Sequence, residues 1–182
     1  MDTPTQTTTA QLTARENVRV RVHSLDRLRE WWPGWDANPK WVKRRLADRV
    51  PPEEEHRHSN TTTIGLFEYI VDNLHEDTDI NESATHLAVG TSTDEPSSGD
   101  VELGDEVART ELTDSSNNGA SLLATGFLDT SEANGNVLTE IGLVTSDVGG
   151  SDILLNHSAI SEINKTDETT ATIDVTLTFE AA

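Results

Sequence analysis

The chain of 182 residues carries 13 Lys and Arg against 33 Asp and Glu, a formal net charge of −20, with 34% hydrophobic residues. It contains no cysteine, which excludes disulfides and thiolate metal centres. Its length allows one ordinary domain with an arm, or two small domains, and no apolar run approaches the roughly 20 residues of a membrane-spanning helix.

The first fourteen residues, MDTPTQTTTAQLTA, are polar and lack the basic start and apolar stretch of a signal peptide, so the chain is expected to be soluble. Val18, Val20 and Val22 alternate with Arg19 and Arg21 and predict a short strand. Ser24 is placed to cap a helical turn through Leu25, Leu28 and Trp32, and Pro33-Gly34 ends it. Asn38-Pro39 starts a second helix, with Val42, Leu46 and Val50 on one face and Pro51-Pro52 as its stop. Residues 53–58 read as a charged linker. Ser59 or Asn60 caps a third helix, whose stripe of Ile64, Phe67, Ile70, Val71 and Leu74 has the 3.6-residue period and ends near His75-Glu76-Asp77.

From Ala84 the period changes to two. Six strands are predicted, over 84–89, 106–113, 121–128, 137–145, 152–160 and 170–179, with Asn118-Gly119, Asn134-Gly135 and Gly149-Gly150 as turns. In the last strand Ile173, Val175, Leu177 and Phe179 face one side and Thr172, Asp174, Thr176 and Thr178 the other, as in an antiparallel sheet with one wet face. The expected fold is mainly β: an antiparallel β-sandwich-like C-terminal domain (81–182), a linking amphipathic helix (59–80) and a mixed, Trp-rich docking arm (1–58).

Charge divides the chain in the same way. Residues 1–60 hold eleven basic and nine acidic residues, whereas 61–182 hold two basic residues, Arg109 and Lys165, against twenty-four acids. Such an acid coat stays hydrated and self-repelling where salt screens weaker charge, so a high-salt environment is expected. All four tryptophans, Trp31, Trp32, Trp35 and Trp41, fall within the arm. Large rings of this kind either pack the N-terminal unit itself or form an interface hot spot against another chain. The basic residues Lys40, Lys43, Arg44, Arg45 and Arg49 suit docking onto an acidic surface, either a partner's or the chain's own C-terminal domain. The candidate docking residues are therefore Trp31, Trp32, Trp35, Trp41, Lys43, Arg44, Arg45 and Arg49. Nucleic-acid stacking ranks below both, because the arm's net charge is small and salt weakens phosphate contacts.

Chemistry-bearing patterns are sparse. His56 and His58 stand at i, i+2 beside Glu53–Glu55, a spacing that suits a metal but fits a solvated linker better. The loop with Asp94, Glu95, Asp100, Glu102, Asp105 and Glu106 offers oxygen ligands for Ca²⁺ or Mg²⁺ without EF-hand spacing, so no cofactor or metal ligand is assigned. No G-x-S-x-G, H-E-x-x-H, phosphate-binding Gly loop or cysteine nucleophile occurs, and pairs such as Asp129 and Glu132 are unavoidable among so many acids. The expectation is a non-enzymatic protein.

Four segments occur in this order: Thr85-His86-Leu87-Ala88-Val89-Gly90-Thr91, Leu103-Gly104-Asp105-Glu106-Val107-Ala108-Arg109, Ala133-Asn134-Gly135 and Glu140-Ile141-Gly142-Leu143, followed by the strand Ile173 to Phe179. Over roughly 61–182 this order resembles a small β domain of structural proteins from tailed bacteriophages and tailed haloarchaeal viruses. The resemblance implies a virion component of the tail (baseplate, collar or fibre base) that forms a homo-oligomer and contacts other virion proteins, with contact to a host surface also open. A head decoration or turret is the second placement. A cell-surface or carbohydrate-binding module is the alternative of another class.

Overall fold

The alternation at Val18–Val22 belongs to a strand far longer than those five residues. In the computed structural model, which describes residues 12–74, 83–145 and 152–181 (backbone only at 12–16, 71–74 and 180–181), β1 spans Leu12–Ser24. After it come α1 (Leu25–Trp31), a 3₁₀ turn (Trp35–Ala37), α2 (Lys40–Ala47), β2 (Glu54–Ser59), β3 (Thr61–Thr62) and α3 (Ile64–Leu74). Then follow β4 (Ala84–Gly90), β5 (Glu106–Asn118), β6 (Ser121–Leu128), β7 (Asn136–Thr145), β8 (Leu154–Lys165) and β9 (Thr169–Ala181). The fold is mainly β: one nine-stranded antiparallel sheet in the order β2-β1-β9-β6-β5-β4-β7-β8-β3.

This sheet nearly closes on itself. Its first edge strand, β2, and its last, β3, are consecutive in the chain, so residues 54–62 pair with β1 on one side and β8 on the other. The Ser161 N–H donates to His58 Nε2 (3.2 Å) and Ser158 Oγ donates to the Ser59 carbonyl (2.9 Å), tying the two edges together. Residues 53–58 are therefore not a linker. The alternation rule misses β2 because Glu54, Glu55 and Arg57 are exposed: a polar edge strand has no apolar face to betray it.

The closed sheet flattens into two layers. β5 passes from one to the other: residues up to Glu111 pair with β4, those from Leu112 pair with β6, and the register shifts between Leu112 and Asp114. Between the layers lie Val18, Val20 and Val22 of β1, Leu87 and Val89 of β4, Ile141 and Leu143 of β7, and Ile173, Val175 and Leu177 of β9. The layers approach closely where Leu87 meets Gly126: a Cβ at 126 would stand 2.9 Å from Leu87 side-chain atoms. The turns carry positive φ at Gly119 (62°) and Gly135 (81°), the glycines of the two Asn-Gly pairs, and at Ala133 (55°). The expected Gly149-Gly150 turn and the helix end at His75–Asp77 lie outside the described residues.

The helices differ in detail from expectation. Ser24 caps α1 as predicted, accepting from the Arg27 N–H. In α2 Pro39 is the cap residue, one position ahead of the first helical residue, rather than the first helical residue itself. Ser59 and Asn60 do not cap α3, because the chain first pairs with β8 at Thr61–Thr62. The side of α3 that faces the core carries Leu66, Tyr69 and Ile70, leaving Ile64 and Phe67 exposed. The apolar stripe alone cannot tell which of its members face the core.

The division at residue 58 does not survive the backbone pairing. β1 pairs with β9 at thirteen positions, from Leu12–Ala181 to Ser24–Thr169, so the N-terminal segment supplies an inner strand of the sheet. Its helices form a cap over the outer face of β6: Leu25, Leu28, Trp35, Ala47 and Val50 bury Phe127 in a second core. β6 is consequently buried on both faces from Ala124 to Leu128.

Cap and barrel are thus predicted to unfold together. Phe127→Ala should cost about 3–5 kcal/mol. In urea, tryptophan fluorescence (all four rings lie in the cap region) and far-ultraviolet circular dichroism should give coincident transitions in wild type and variant. Fluorescence that changes well before the dichroism would show a cap that folds separately.

Candidate docking surface

α2 sorts its cations between two directions. Lys40 Nζ donates to Glu132 Oε1 and Thr110 Oγ1, both at 2.6 Å, and Lys43 Nζ donates to Asp129 Oδ2 at 2.8 Å. Arg44 reaches Asp114 at 3.4 Å and Asp48 at 3.6 Å. These three bind the cap to acids of the chain's own β domain and of α2's own C-terminal end. On another face, Trp41 and Arg45 stand at i and i+4 of α2, and Arg49 lies in the turn just past its end. All three are exposed, and the Arg45 guanidinium lies 5.5 Å from the Trp41 ring centre. Among the described residues the side chains of Arg27, Arg45 and Arg49 have no carboxylate partner.

The tryptophans divide too. Trp35 is fully buried and Trp32 packs half-buried beside it, so these two are core of their own chain rather than interface. Trp31 and Trp41 are 50% and 57% exposed. Of the eight candidate docking residues, Trp32, Trp35, Lys43 and Arg44 are thus taken up within the chain, while Trp31, Trp41, Arg45 and Arg49 face outward.

All three lysines of the chain converge on the turn before β7. Lys165, fully buried, donates to Asn134 Oδ1 and to the Thr166 carbonyl, both at 2.9 Å. With only neutral oxygens bonded to it, burial pushes its amine down to about 8, against the pull of Asp129 and Glu132. A further basic group lines the outer face of β1, β2 and β9. There Arg19, Arg21, Arg44 and Arg57 border a groove of about 650 Å³. Carboxylates answer them: Arg21 bridges Asp48 (2.7 Å) and Asp174 (2.8 Å), and hydrogen bonds from Arg19 and then Arg57 hold Glu55 down to about 2.

Sequence patterns gave no role to Glu140 or His157, yet together they organise the 91–105 loop. Glu140, on β7, is 1% exposed. Its Oε1 accepts the Ser92 and Asp105 N–H groups (3.1 and 2.8 Å), and its Oε2 accepts the Gly104 N–H (2.9 Å) and faces His157 Nε2 (2.9 Å). His157 Nδ1 lies 2.6 Å from Asp100 Oδ2, which also accepts the Ser97 N–H. Gly90 must lack a side chain, because a Cβ there would overlap the Glu140 carboxylate. Three of the four segments quoted from the sequence meet here, through Gly90, Gly104-Asp105 and Glu140; the buried carboxylate that joins them was not readable from the segments themselves. Carboxylates face both ring nitrogens of His157.

Several of the other candidates have partners within the fold. His56 and His58 stack at 6.2 Å on β2, with His58 Nε2 occupied by the Ser161 N–H. In the acidic loop, Asp100 serves His157, Asp105 accepts from Thr91 Oγ1, and Glu106 pairs with Arg109. Among the described residues no three His, Asp or Glu side chains converge as a metal site. Comparison of the chain with protein-family models, with curated proteins and with solved structures returns no match.

Two outcomes are expected. Glu140→Gln leaves donors facing an amide and should destabilise the protein by roughly 2–3 kcal/mol, with early hydrogen exchange confined to the 91–105 loop. The pH profile should show two features. Burial works against the charged form of Asp100, but the Ser97 N–H and His157 outweigh it and hold the carboxyl below its ordinary value. Its contribution is therefore present above the ordinary carboxylate range and is lost as pH falls through the folded value. Lys165 acts in the opposite direction: charging it in the fold costs stability below about 8, and that cost fades as pH rises from about 8 towards 10.5. Wild type should gain on the order of 3 kcal/mol over Lys165→Met across that interval, measured by urea midpoints at each pH.

Proposed function

We propose that this chain is a non-enzymatic structural component of a tailed haloarchaeal virus particle, a tail protein of the baseplate, collar or fibre base, held in place through its helical cap. The observation that carries the reading is the outward stripe of Trp41, Arg45 and Arg49. In a chain of net charge −20, where most of the other described cations pair with carboxylates, a tryptophan and two unmatched guanidiniums are displayed together. Aromatic rings and arginine dominate interface hot spots, and solvated arginine side chains fit a partner rich in carboxylates. The acid-coated barrel suits brine, where hydration must be kept and long-range charge effects are screened. The order of segments around Glu140 is the basis for the virion class.

Trp41→Ala combined with Arg45→Glu changes only exposed side chains, so the variant should keep the wild-type dichroism and urea midpoint. Its incorporation into virus particles should fall by about tenfold or more, as for loss of a hot spot. Wild-type incorporation of the folded variant, or absence of the protein from purified particles, would sink the proposal. Density for the protein on the capsid lattice would move it from tail to head.

A further inference from the structure

A second exposed apolar patch lies on a different part of the barrel, and its chemistry is the inverse of the cap's. Ile64 and Phe67, one helical turn apart on α3, are 52% and 36% exposed, and Val101, in the acidic loop, is 78% exposed. Ile64 and Val101 border a hollow of about 310 Å³ whose floor includes Ile153 and whose rim carries Glu68 and Asp152. Asp152 is paired with Arg109, but Glu68 and the neighbouring exposed Glu102 have no cationic partner among the described residues. The patch is therefore an apolar centre with an acidic rim. The cap stripe is an indole with a guanidinium rim.

We infer that the Trp41 face of one copy docks into the Ile64–Val101 hollow of a second copy, with Arg45 and Arg49 set against Glu68 and Glu102. This inference rests on the reading of the chain as an assembly protein and names its first partner. The hollow has room for a single indole ring, and burying one removes roughly 150–250 Å² of surface from water. Salt does not undo such a contact. At about 1 M the screening length falls to about 3 Å, so the rim charges act only once the faces touch, while apolar burial keeps its full effect. The same screening suppresses repulsion between two chains of net charge −20.

A contact that engages one cap and one hollow is heterologous and propagates head to tail, as a ring or a filament, whereas reciprocal engagement of both pairs between two copies closes a two-fold dimer. The buried Glu140 array takes part indirectly. By fixing Ser92, Gly104 and Asp105 and, through His157, Asp100, it holds the loop that presents Val101 and Glu102.

Sedimentation velocity of the full chain in molar potassium chloride tests this with two variants, a cap variant (Trp41→Ala with Arg45→Glu) and a hollow variant (Val101→Asp with Glu68→Arg). Wild type should self-associate. Each variant alone should be monomeric with unchanged dichroism, its affinity weakened about 30-fold or more. Mixed in equal amounts, the two should form a two-chain complex and nothing larger, because one intact cap and one intact hollow remain between them. A mixture that stays monomeric overturns the inference, as does a hollow variant that assembles like wild type. If wild type stays monomeric while the cap variant is lost from particles, self-docking is wrong and the structural role stands. If wild type self-associates as described but the cap variant enters particles normally, self-docking holds and the structural role fails.

Discussion

The ladder between β1 and β9 decides what kind of molecule this is. Thirteen backbone pairings, with Val18, Val20 and Val22 packed against the opposite layer, make the first strand an interior element of the sheet. Without it β9 would be an open edge, β2 would have no neighbour, and the segment 54–62 would have no second edge to join. The cap follows from the same pairing. Because β1 ends at Ser24 against Thr169, the chain that leaves it is delivered onto the outer face of β6, where Phe127 waits for an apolar cover. A terminal arm by composition is thereby the central stave and the lid of a barrel.

Charge is used in two distinct ways. Facing inward, scarce cations are matched to one or two acids each. Lys40 and Lys43 hold the cap to the 129–132 turn, Arg21 joins α2 to β9, and Arg109 joins the start of β5 to Asp152. Such partly buried pairs keep more of their attraction at high salt than exposed ones, since screening acts through solvent. Facing outward, many acids stay hydrated without a cation, and the unmatched Arg45 and Arg49 beside Trp41 mark a surface. Lys165 departs from the pattern. It is buried on neutral oxygens alone, and the fold carries the cost of its charge near neutral pH.

Glu140 plays a comparable part on the other side of the barrel. A buried carboxylate is tolerable only when its lone pairs are filled, and three backbone N–H groups and an imidazole fill them. The consequence is a long polar loop with a defined shape, able to display an exposed valine among acids at a fixed place beside α3.

The sequence by itself determined the strands whose two faces differ. From β4 to β9 the alternation of apolar and polar residues located the start of each strand to within about two residues but ended β5 and β8 about five residues early, and the helices of the cap were visible through Ser24, Pro33-Gly34 and the Pro51-Pro52 stop, because capping and breaking are local events. The cationic, tryptophan-bearing character of the cap segment was equally plain from composition. Only the tertiary structure decided which tryptophans remained outside, since Trp35 and Trp41 are alike until Phe127 claims one of them. It alone also turned the charged residues 54–59 into a strand, and gathered Gly90, Asp100, Gly104, Glu140 and His157 about one carboxylate. The reason is common to all three. Edge pairing, ring burial and the satisfaction of a buried charge are contacts between residues distant in the chain, and no local period in the sequence encodes a partner that far away.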